Sequence, residues 1–381
     1  MKITGVESIA VFNGMRNFLF IVVTTDDGVT GVGEAGLSGH ELAVQGALEH
    51  LTPILIGEDP LRIEHLWQAM ARGWFFPASG AVSAAMSAVD IALWDIKGKA
   101  LGVPTFELLG GRTRDKVLCY GHLPDVIDLE KLIDGGKQRI EQGFKVLRSV
   151  PPVGDDVANL IESRTAMREG LAQFERFRSE FGPEIGMIVD CHTRFDVPEA
   201  AMFCREIESM DPLFVEDPLR SEDMLAYRNL RRQARVPLAA GEQFGGKWSF
   251  RQLIEEELID YCRLDVCLVG GLTPAKKIAG WCEVHGIQLA VHNPIGPVAT
   301  AASTHLNLSC PDVGIQEQPG LPGEIMPDVF DLHIQWDNGY LLAPTAAGLG
   351  IDFDIEQARK YPYRPWIPPQ LRRPDGAVAN W

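Results

Sequence analysis

Three short apolar runs in this chain each end in a carboxylate, and their spacing is regular. The runs cover residues 185–190, 213–216 and 238–242 and end in Asp190, Glu216 and Glu242. The first and second carboxylates are 26 residues apart, and so are the second and third. A run of four to six apolar residues predicts a buried strand. About 26 residues accommodate one strand, one helix and two loops, so the spacing predicts successive parallel βα units.

The same pattern continues on both sides of these runs. Downstream, three more apolar runs end in Asp265, His292 and Glu317, and upstream residues 116–120 and 144–148 fit two further strands. Eight strand candidates between about 116 and 317 predict an α/β fold with a TIM-like (β/α) barrel. Either all eight βα units are regular or one of them departs from the standard unit. The carboxyl ends of barrel strands converge on one pocket, so these polar residues are expected to meet there.

Three carboxylates in one pocket repel one another unless a cation lies between them. Oxygen ligands alone suit a hard ion, so Asp190, Glu216 and Glu242 predict a Mg²⁺ site. The alternative is a set of salt bridges at the barrel rim, which the even spacing makes the weaker interpretation.

Composition and charge exclude several classes of protein. The chain has 381 residues and a net charge of −17, whereas nucleic-acid binding favours a basic face, so we expect no nucleic-acid partner. The seven cysteines have no CxxC spacing, which indicates reduced thiols in a cytoplasmic protein. We find no apolar stretch of membrane-spanning length and no signal peptide, and expect no membrane association.

Three regions are expected along the chain. Residues 1–112 read as α+β, with a hairpin turn at residues 26–28 and helices near 39–55, 60–72 and 82–101. Residues 113–317 form the barrel, and residues 318–381 are rich in Gly and Pro and predict an irregular tail. The aromatic segment 74–76 is either a lid over the pocket or core of the first region, and we favour core.

Several motifs together resemble the enolase superfamily, mandelate racemase subgroup. They are Asp190-Cys-His192, Val215-Glu-Asp-Pro218, Gly241-Glu242, Asp265, His292-Asn-Pro-Ile-Gly-Pro297 and Ile315-Gln-Glu317, together with the helical stretch 87–99. The sugar-acid dehydratases of galactonate and mannonate type are the most similar members. The resemblance implies a capping domain at 1–112, a catalytic barrel, a tail that returns to the cap, a Mg²⁺ cofactor, a small sugar-acid substrate and a homo-oligomer.

His292 is the candidate base for such chemistry. A histidine with an ordinary pKa near 6.5 suits abstraction of the proton beside a carboxylate, and Mg²⁺ would stabilise the resulting enediolate. Asp265 ends the preceding strand and is expected to orient the imidazole. A packed barrel histidine is the alternative, and the pairing on adjacent strand ends argues against it.

His192 is the candidate acid that protonates the departing 3-hydroxyl. In an extended segment residues i and i+2 share a face, so His192 is expected to point into the pocket with Asp190. The alternative is a rim histidine that packs beside the metal site. This residue distinguishes dehydration from racemisation, which needs a second base on the opposite face of the carbon.

Arg148 stands where racemases of this subgroup have lysine, and arginine is a poor base. Mannonate-type dehydratases pair an arginine here with a loop tyrosine, but no tyrosine lies between residues 120 and 227. Glu317 is expected either to hydrogen-bond the enediolate when protonated or to be a salt-bridged rim acid. His122, Arg148 and Arg194 are candidate substrate contacts.

The leading hypothesis is a hydro-lyase that converts an aldonate, galactonate-like first, into a 2-keto-3-deoxy acid. Gluconate, mannonate and pentonates remain open as substrates. A racemase or epimerase is the alternative within enzymes, and Arg148 disfavours it. A non-catalytic, metal-binding regulatory relative is the alternative outside enzymes.

Overall fold

The N-terminal region of this computed structural model is an antiparallel sheet covered by helices. The structure describes residues 1–124, 126, 128–152 and 159–380. The sheet has the order β1-β2-β3, and the elements in chain order are β1 (Ile3–Phe12), β2 (Asn17–Thr25), β3 (Thr30–Ala35), α1 (Glu41–Leu55), α2 (Ile63–Arg72) and α3 (Ala81–Leu101). We call this region the cap. A Cβ on Gly33 would lie 1.8 Å from the Ala88 carbonyl oxygen, so glycine lets α3 pack directly on β3.

The second region is a closed barrel of eight parallel strands, as predicted. After the short helix α4 (Thr105–Leu108), the strands are β4 (Lys116–His122), β5 (Val146–Ser149), β6 (Gly186–Asp190), β7 (Phe214–Glu216), β8 (Leu238–Ala240), β9 (Tyr261–Cys262), β10 (Gln288–Val291) and β11 (Val313–Gln318). Each strand pairs in parallel with the next, and pairing of β11 with β4 closes the barrel.

Helices cover the outside of the barrel and alternate with its strands. They are α5 (Leu129–Glu141), α6 (Ser163–Phe181), α7 (Val197–Ile207), α8 (Met224–Arg231), α9 (Arg251–Glu255), α10 (Leu272–Val284) and α11 (Pro297–Leu308). Short 3-10 turns occupy Glu208–Met210 and Lys247–Phe250. One helix follows each strand from β4 to β10, which is the alternation that the 26-residue spacing predicted.

The expectation of an irregular tail is wrong in part. Residues 330–358 contain β12 (Phe330–Leu332), β13 (Trp336–Asp337), β14 (Tyr340–Leu342), β15 (Ile351–Phe353) and the single turn α12 (Ile355–Ala358). Strands of two or three residues are too short to show alternating hydrophobicity. The tail also contacts the cap, since the Phe12 N–H donates to the Tyr361 carbonyl at 3.0 Å.

The aromatic segment at residues 74–76 does not belong to the cap core, contrary to the preferred interpretation. Trp74, Phe75 and Phe76 are 50%, 94% and 78% exposed. All seven cysteines are buried and unpaired, as their spacing predicted. Within the described ranges, no helix is both long enough and apolar enough to cross a lipid bilayer.

Candidate active site

A polar layer lies directly above an apolar plug inside the barrel. The plug consists of one buried side chain from each of seven strands or their ends: Tyr120, Val146, Ile188, Phe214, Ala239, Ala290 and Ile315. Side chains alternate along a strand, so the residue two positions later faces the same interior. Six of the residues reached in this way are polar: His122, Arg148, Asp190, Glu216, His292 and Glu317. Strand alternation therefore explains why the predicted residues meet.

The carboxylates at the carboxyl ends of β7 and β8 converge, and nearby positive charge balances them only in part. One oxygen each of Glu216, Asp217 and Glu242 lies within 4.8 Å of the others. Both Glu216 oxygens are buried and have no hydrogen-bond partner among the described residues. Burial raises the pKa of Glu216 well above its ordinary value, and although Arg263 opposes this shift, Asp190 and Glu242 add to it. Such orphaned, converging oxygens fit a hard divalent cation.

Asp217 was not predicted as part of this group. It follows Glu216 directly, and its carboxyl is buried against Glu242 with one oxygen that has no hydrogen-bond partner in the described structure. Burial raises the pKa of Asp217 well above its ordinary value, and Glu242 adds to the shift. Two adjacent acids at a strand end were the sequence signal that could have identified it.

Asp190 is engaged differently from the other predicted ligands. It is paired in register with Glu216, but it lies outside the group of converging oxygens. Its Oδ1 accepts the His192 N–H at 2.8 Å, and its Oδ2 contacts the Arg148 guanidinium. Burial would raise the pKa of Asp190, but Arg148 and His192 hold it far below its ordinary value. Its role as a metal ligand therefore stays a prediction.

Arg263 is a buried cation beneath the carboxylates that sequence reasoning missed. Its Nη2 lies 2.6 Å from Glu216 Oε1, without hydrogen-bond geometry, 3.3 Å from Glu242 Oε2 and 2.8 Å from Glu317 Oε2. Its Nη1 donates to the Ala290 carbonyl at 3.1 Å. One guanidinium thus contacts three carboxylates from three strands and partly offsets their repulsion. Its position two residues before Asp265 was the available signal.

Asp265 and His292 form a hydrogen-bonded dyad at the ends of neighbouring strands. His292 Nδ1 lies 2.9 Å from Asp265 Oδ2, and Nε2 faces the carboxylates at 3.5 Å from Glu242 Oε2. Burial would lower the pKa of His292, but Glu242, Glu317 and Asp265 raise it to about 9. The dyad thus orients Nε2 toward the pocket, but a pKa of about 9 keeps the ring protonated near neutral pH, so it can act as a base only once a cation offsets the charge of Glu242.

His192 reaches the pocket by a different route from the one predicted. β6 ends at Asp190, and His192 has a φ of 48°, so the segment is a left-handed turn and not an extended strand. The imidazole still lies beside Asp190, with Nε2 3.0 Å from Oδ2. Nε2 also lies 2.6 Å from Arg148 Nη2, and Arg194 Nη2 lies 3.3 Å from Nδ1. The structure thus brings together His192, Arg148 and Arg194.

Glu317 and His122 complete the layer. His122 Nε2 lies 2.6 Å from Glu317 Oε1, and the His122 ring stacks on Tyr120. Burial would raise the pKa of Glu317, but Arg263, His292 and His122 hold it well below its ordinary value. These cations favour the carboxylate, so the protonated form that would donate to an enediolate is not the favoured one.

Comparison with known proteins identifies the family of this chain. Residues 132–358 match the enolase C-terminal domain-like family, and residues 9–110 match the N-terminal domain of the mandelate racemase / muconate lactonizing enzyme family. The chain belongs to the enolase superfamily. The resemblance and the fold that it implied are both confirmed.

Full-length relatives of this superfamily member are similar along the whole chain. A "D-galactonate dehydratase family member" of Streptomyces bingchenggensis is 36% identical and covers 96% of this chain and 95% of its own length. A D-mannonate dehydratase of Caulobacter vibrioides is 34% identical over 100% of both. The crystal structure of an enolase from Pantoea ananatis, with bound D-gluconate and Mg, has a TM-score of 0.94 and 32% identity over 100% of both chains.

Proposed function

We propose that this enolase-superfamily member is a Mg²⁺-dependent hydro-lyase that dehydrates a sugar acid to a 2-keto-3-deoxy acid. The observation that carries the proposal is the arrangement of a histidine–aspartate dyad and a second histidine at opposite ends of one row of carboxylates. His292 contacts Glu242, and His192 contacts Asp190. A base and an acid placed so can remove a proton and a hydroxyl from neighbouring carbons.

Glu216 and Glu242, with Asp190 and the newly found Asp217, are the residues that would hold the metal ion. When bound, Mg²⁺ supplies positive charge against the second negative charge that develops on the substrate carboxylate. The Glu216 oxygens support this assignment, since both are buried and accept no hydrogen bond within the described structure.

The first step is proton transfer to His292. Nε2 takes the proton from the carbon beside the substrate carboxylate, and the C–H electrons move into that carboxylate as an enediolate. Asp265 accepts the hydrogen bond from Nδ1 and stabilises the imidazolium that forms. The dyad hydrogen bond is already made in the folded chain, so the imidazole needs no reorientation before Nε2 accepts the proton.

In the second step the bond from C3 to its hydroxyl breaks. His192 donates the proton that turns the leaving group into water, and the enol that remains becomes the 2-keto acid. Nε2 of His192 lies 3.0 Å from Asp190 Oδ2 and 2.6 Å from Arg148 Nη2, so it can donate a proton to the carboxylate but not to the guanidinium.

A racemase or epimerase is the second candidate, and the contacts of Arg148 disfavour it. That reaction needs a second base on the opposite face of the carbon. Burial would lower the pKa of Arg148, but Asp190, Glu216 and Glu317 raise it above its ordinary value. A guanidinium held in this way does not accept a proton.

The test is turnover of a library of aldonic acids with and without Mg²⁺. Galactonate and its close stereoisomers come first, followed by gluconate, mannonate and the pentonates. The expected result is a 2-keto-3-deoxy acid that forms only with the metal and is absent for His292→Asn. Interconversion of stereoisomers without dehydration would support the epimerase. Metal binding without turnover of any acid would support a non-catalytic relative.

A further inference from the structure

Two helices of the barrel have glycine at the N-cap position, directly before their first residue. Glycine has no side chain that could cap the helix. Gly271 precedes α10, and Gly296 precedes α11. The first N–H groups of a helix need an acceptor, usually the side chain of the N-cap residue. In three other barrel helices an acid does this within its own segment: Asp128 caps α5, Glu162 caps α6 and Asp223 caps α8.

Carboxylates of the cap serve as the acceptors for these two helices. Glu34, near the end of β3, accepts the Gly296 N–H at 2.7 Å and the Ala299 N–H at 2.9 Å. Asp90, in α3, accepts the Thr273 N–H at 2.9 Å. Both carboxyl groups are completely buried. Each barrel helix is thus capped across the domain interface.

The glycines are required by the close approach of these carboxyl groups. A Cβ on Gly296 would lie 2.5 Å from Glu34 Oε1, and a Cβ on Gly271 would lie 2.4 Å from Asp90 Cβ. The arrangement is costly, since burial raises the pKa of Glu34 to about 8 and of Asp90 to about 7, against the effect of their hydrogen bonds. Glycine and buried acid therefore form matched pairs.

These two helices follow the two strands that carry the dyad. Gly296 lies four residues after His292, and Gly271 lies six residues after Asp265. The cap holds the second of these segments further, because the Gly270 N–H donates to Ser87 Oγ and the Trp67 indole donates to the Gly270 carbonyl, each at 2.8 Å. A shift of either helix start would therefore move one partner of the dyad.

We infer that Glu34 and Asp90 are positioning residues, which fix the Asp265–His292 contact by capping α11 and α10 from the cap. The catalytic consequence rests on the proposed function of His292 as the base. The geometric consequence does not, because the dyad hydrogen bond is a property of the folded chain. Docking of the cap onto the barrel therefore also sets the orientation of His292.

The experiment compares Glu34→Gln and Asp90→Asn with Glu41→Gln in the full-length protein. Glu41 is a matched control, since it is a buried cap acid whose side chain accepts the Gly39 N–H at 2.7 Å, within the cap. The low-field proton resonance of His292 Nδ1–H, assigned by its loss in His292→Asn, reports the dyad. Mn²⁺ affinity reports the carboxylates.

For Glu34→Gln and Asp90→Asn we expect the resonance to shift or disappear while Mn²⁺ affinity stays within about twofold of wild type. On a substrate, kcat should fall about 10- to 100-fold with little change in KM, which is the scale of a small misplacement of a reacting group. Glu41→Gln should change none of these quantities.

A further variant covers the case in which loss of the carboxyl group prevents folding. Gly296→Ala keeps Glu34 but pushes its carboxyl away, and the φ of −97° at Gly296 suits alanine. It should change the resonance in the same direction. An unaltered resonance in all three variants, or an equal change in Glu41→Gln, would overturn the inference. If the wild-type protein dehydrates no acid, the proposed function is wrong. The resonance still tests whether Glu34 and Asp90 position the Asp265–His292 contact.

Discussion

The two sides of the barrel mouth are held by different forces. On β6 to β8 the acidic groups are close to one another and are held by buried guanidinium groups, with Arg263 touching Glu216 and Arg148 touching Asp190. On β9 and β10 the dyad is neutralised internally, and its flanking helices are tied to the cap by Glu34 and Asp90. The first side needs an ion to complete it, and the second is already complete.

This difference separates two requirements of the proposed reaction. The carboxylate side must bind a cation, and the repulsion among its acids is only partly offset by the guanidinium groups until that cation is bound. The dyad side must present one nitrogen in one direction, so hydrogen bonds fix it in advance. Changes to the carboxylates should therefore affect metal binding, and changes to the dyad should affect removal of the α-proton.

The largest effect is expected for Glu216→Gln. Removing this charge should weaken Mg²⁺ binding by at least about 100-fold and reduce turnover below detection. Calorimetric titration with Mg²⁺ measures the affinity. The metal-free variant should unfold at the same temperature or higher, because repulsion from Asp190 and Glu242 is relieved. Glu206→Gln, at an exposed position of α7, is the control. Unchanged affinity would remove Glu216 from the metal site.

His292→Asn should leave metal binding intact and stop exchange of the substrate α-proton with D₂O. The dyad partner Asp265 loses the imidazole, and the pocket loses its base. Exchange is followed by NMR on whichever acid the wild-type enzyme dehydrates. Exchange at the wild-type rate would mean that another residue removes the proton, and that the two sides do not divide the work as described.

His192→Asn tests the acid, which lies on the carboxylate side. Exchange of the α-proton should continue, because His292 is untouched, while formation of the keto acid should fall by about 10²- to 10⁴-fold, the usual contribution of general acid catalysis. Both quantities are measured on the same sample. Product formation at the wild-type rate would make His192 a structural residue and weaken the case for dehydration over racemisation.

The barrel and the dyad were predictable because both follow from simple periods. Regular βα spacing predicted the strands, and strand ends that carry Asp265 and His292 had to be neighbours. The turn at His192 was not predictable, since its positive φ leaves no mark in a strand pattern. Arg263 was missed because one arginine inside an apolar run resembles any strand residue until the surrounding carboxylates are seen.

The cap contacts could not be read from sequence for a related reason. Asp90 lies within the helical stretch 87–99, and only the structure shows which helix it caps. Glu34 lies near the end of β3, and no residue close to it in sequence indicates that it caps a helix. Its partners, Gly296 and Ala299, lie more than 260 positions away, at separations of 262 and 265 residues. A capping contact between residues so far apart in the chain leaves no periodic pattern in the local sequence.

The smallest effect concerns the acid sensitivity of the dyad side. His305, in α11, is fully buried, and its Nδ1 accepts the Phe106 N–H at 3.1 Å while Nε2 donates to the Leu349 carbonyl at 3.0 Å. Burial lowers the pKa of His305 from 6.5 to about 4. Between these values the unfolded chain binds the proton and the folded chain does not, so stability falls as the pH falls from about 6.5 to 4.

His305→Gln should remove that dependence, because glutamine supplies one acceptor and one donor without titrating. The shift corresponds to a free energy of unfolding of about 3 kcal/mol lost between pH 7 and 4 in the wild type alone. Thermal unfolding at several pH values in this range measures it, with His333→Gln as the control, since the His333 side chain is 40% exposed. The unfolding temperature of wild type should fall more steeply than that of His305→Gln as the solution becomes acidic. Parallel curves would show that His305 contributes no pH dependence, and that the acid sensitivity of the dyad side has to be sought in other groups packed against α11.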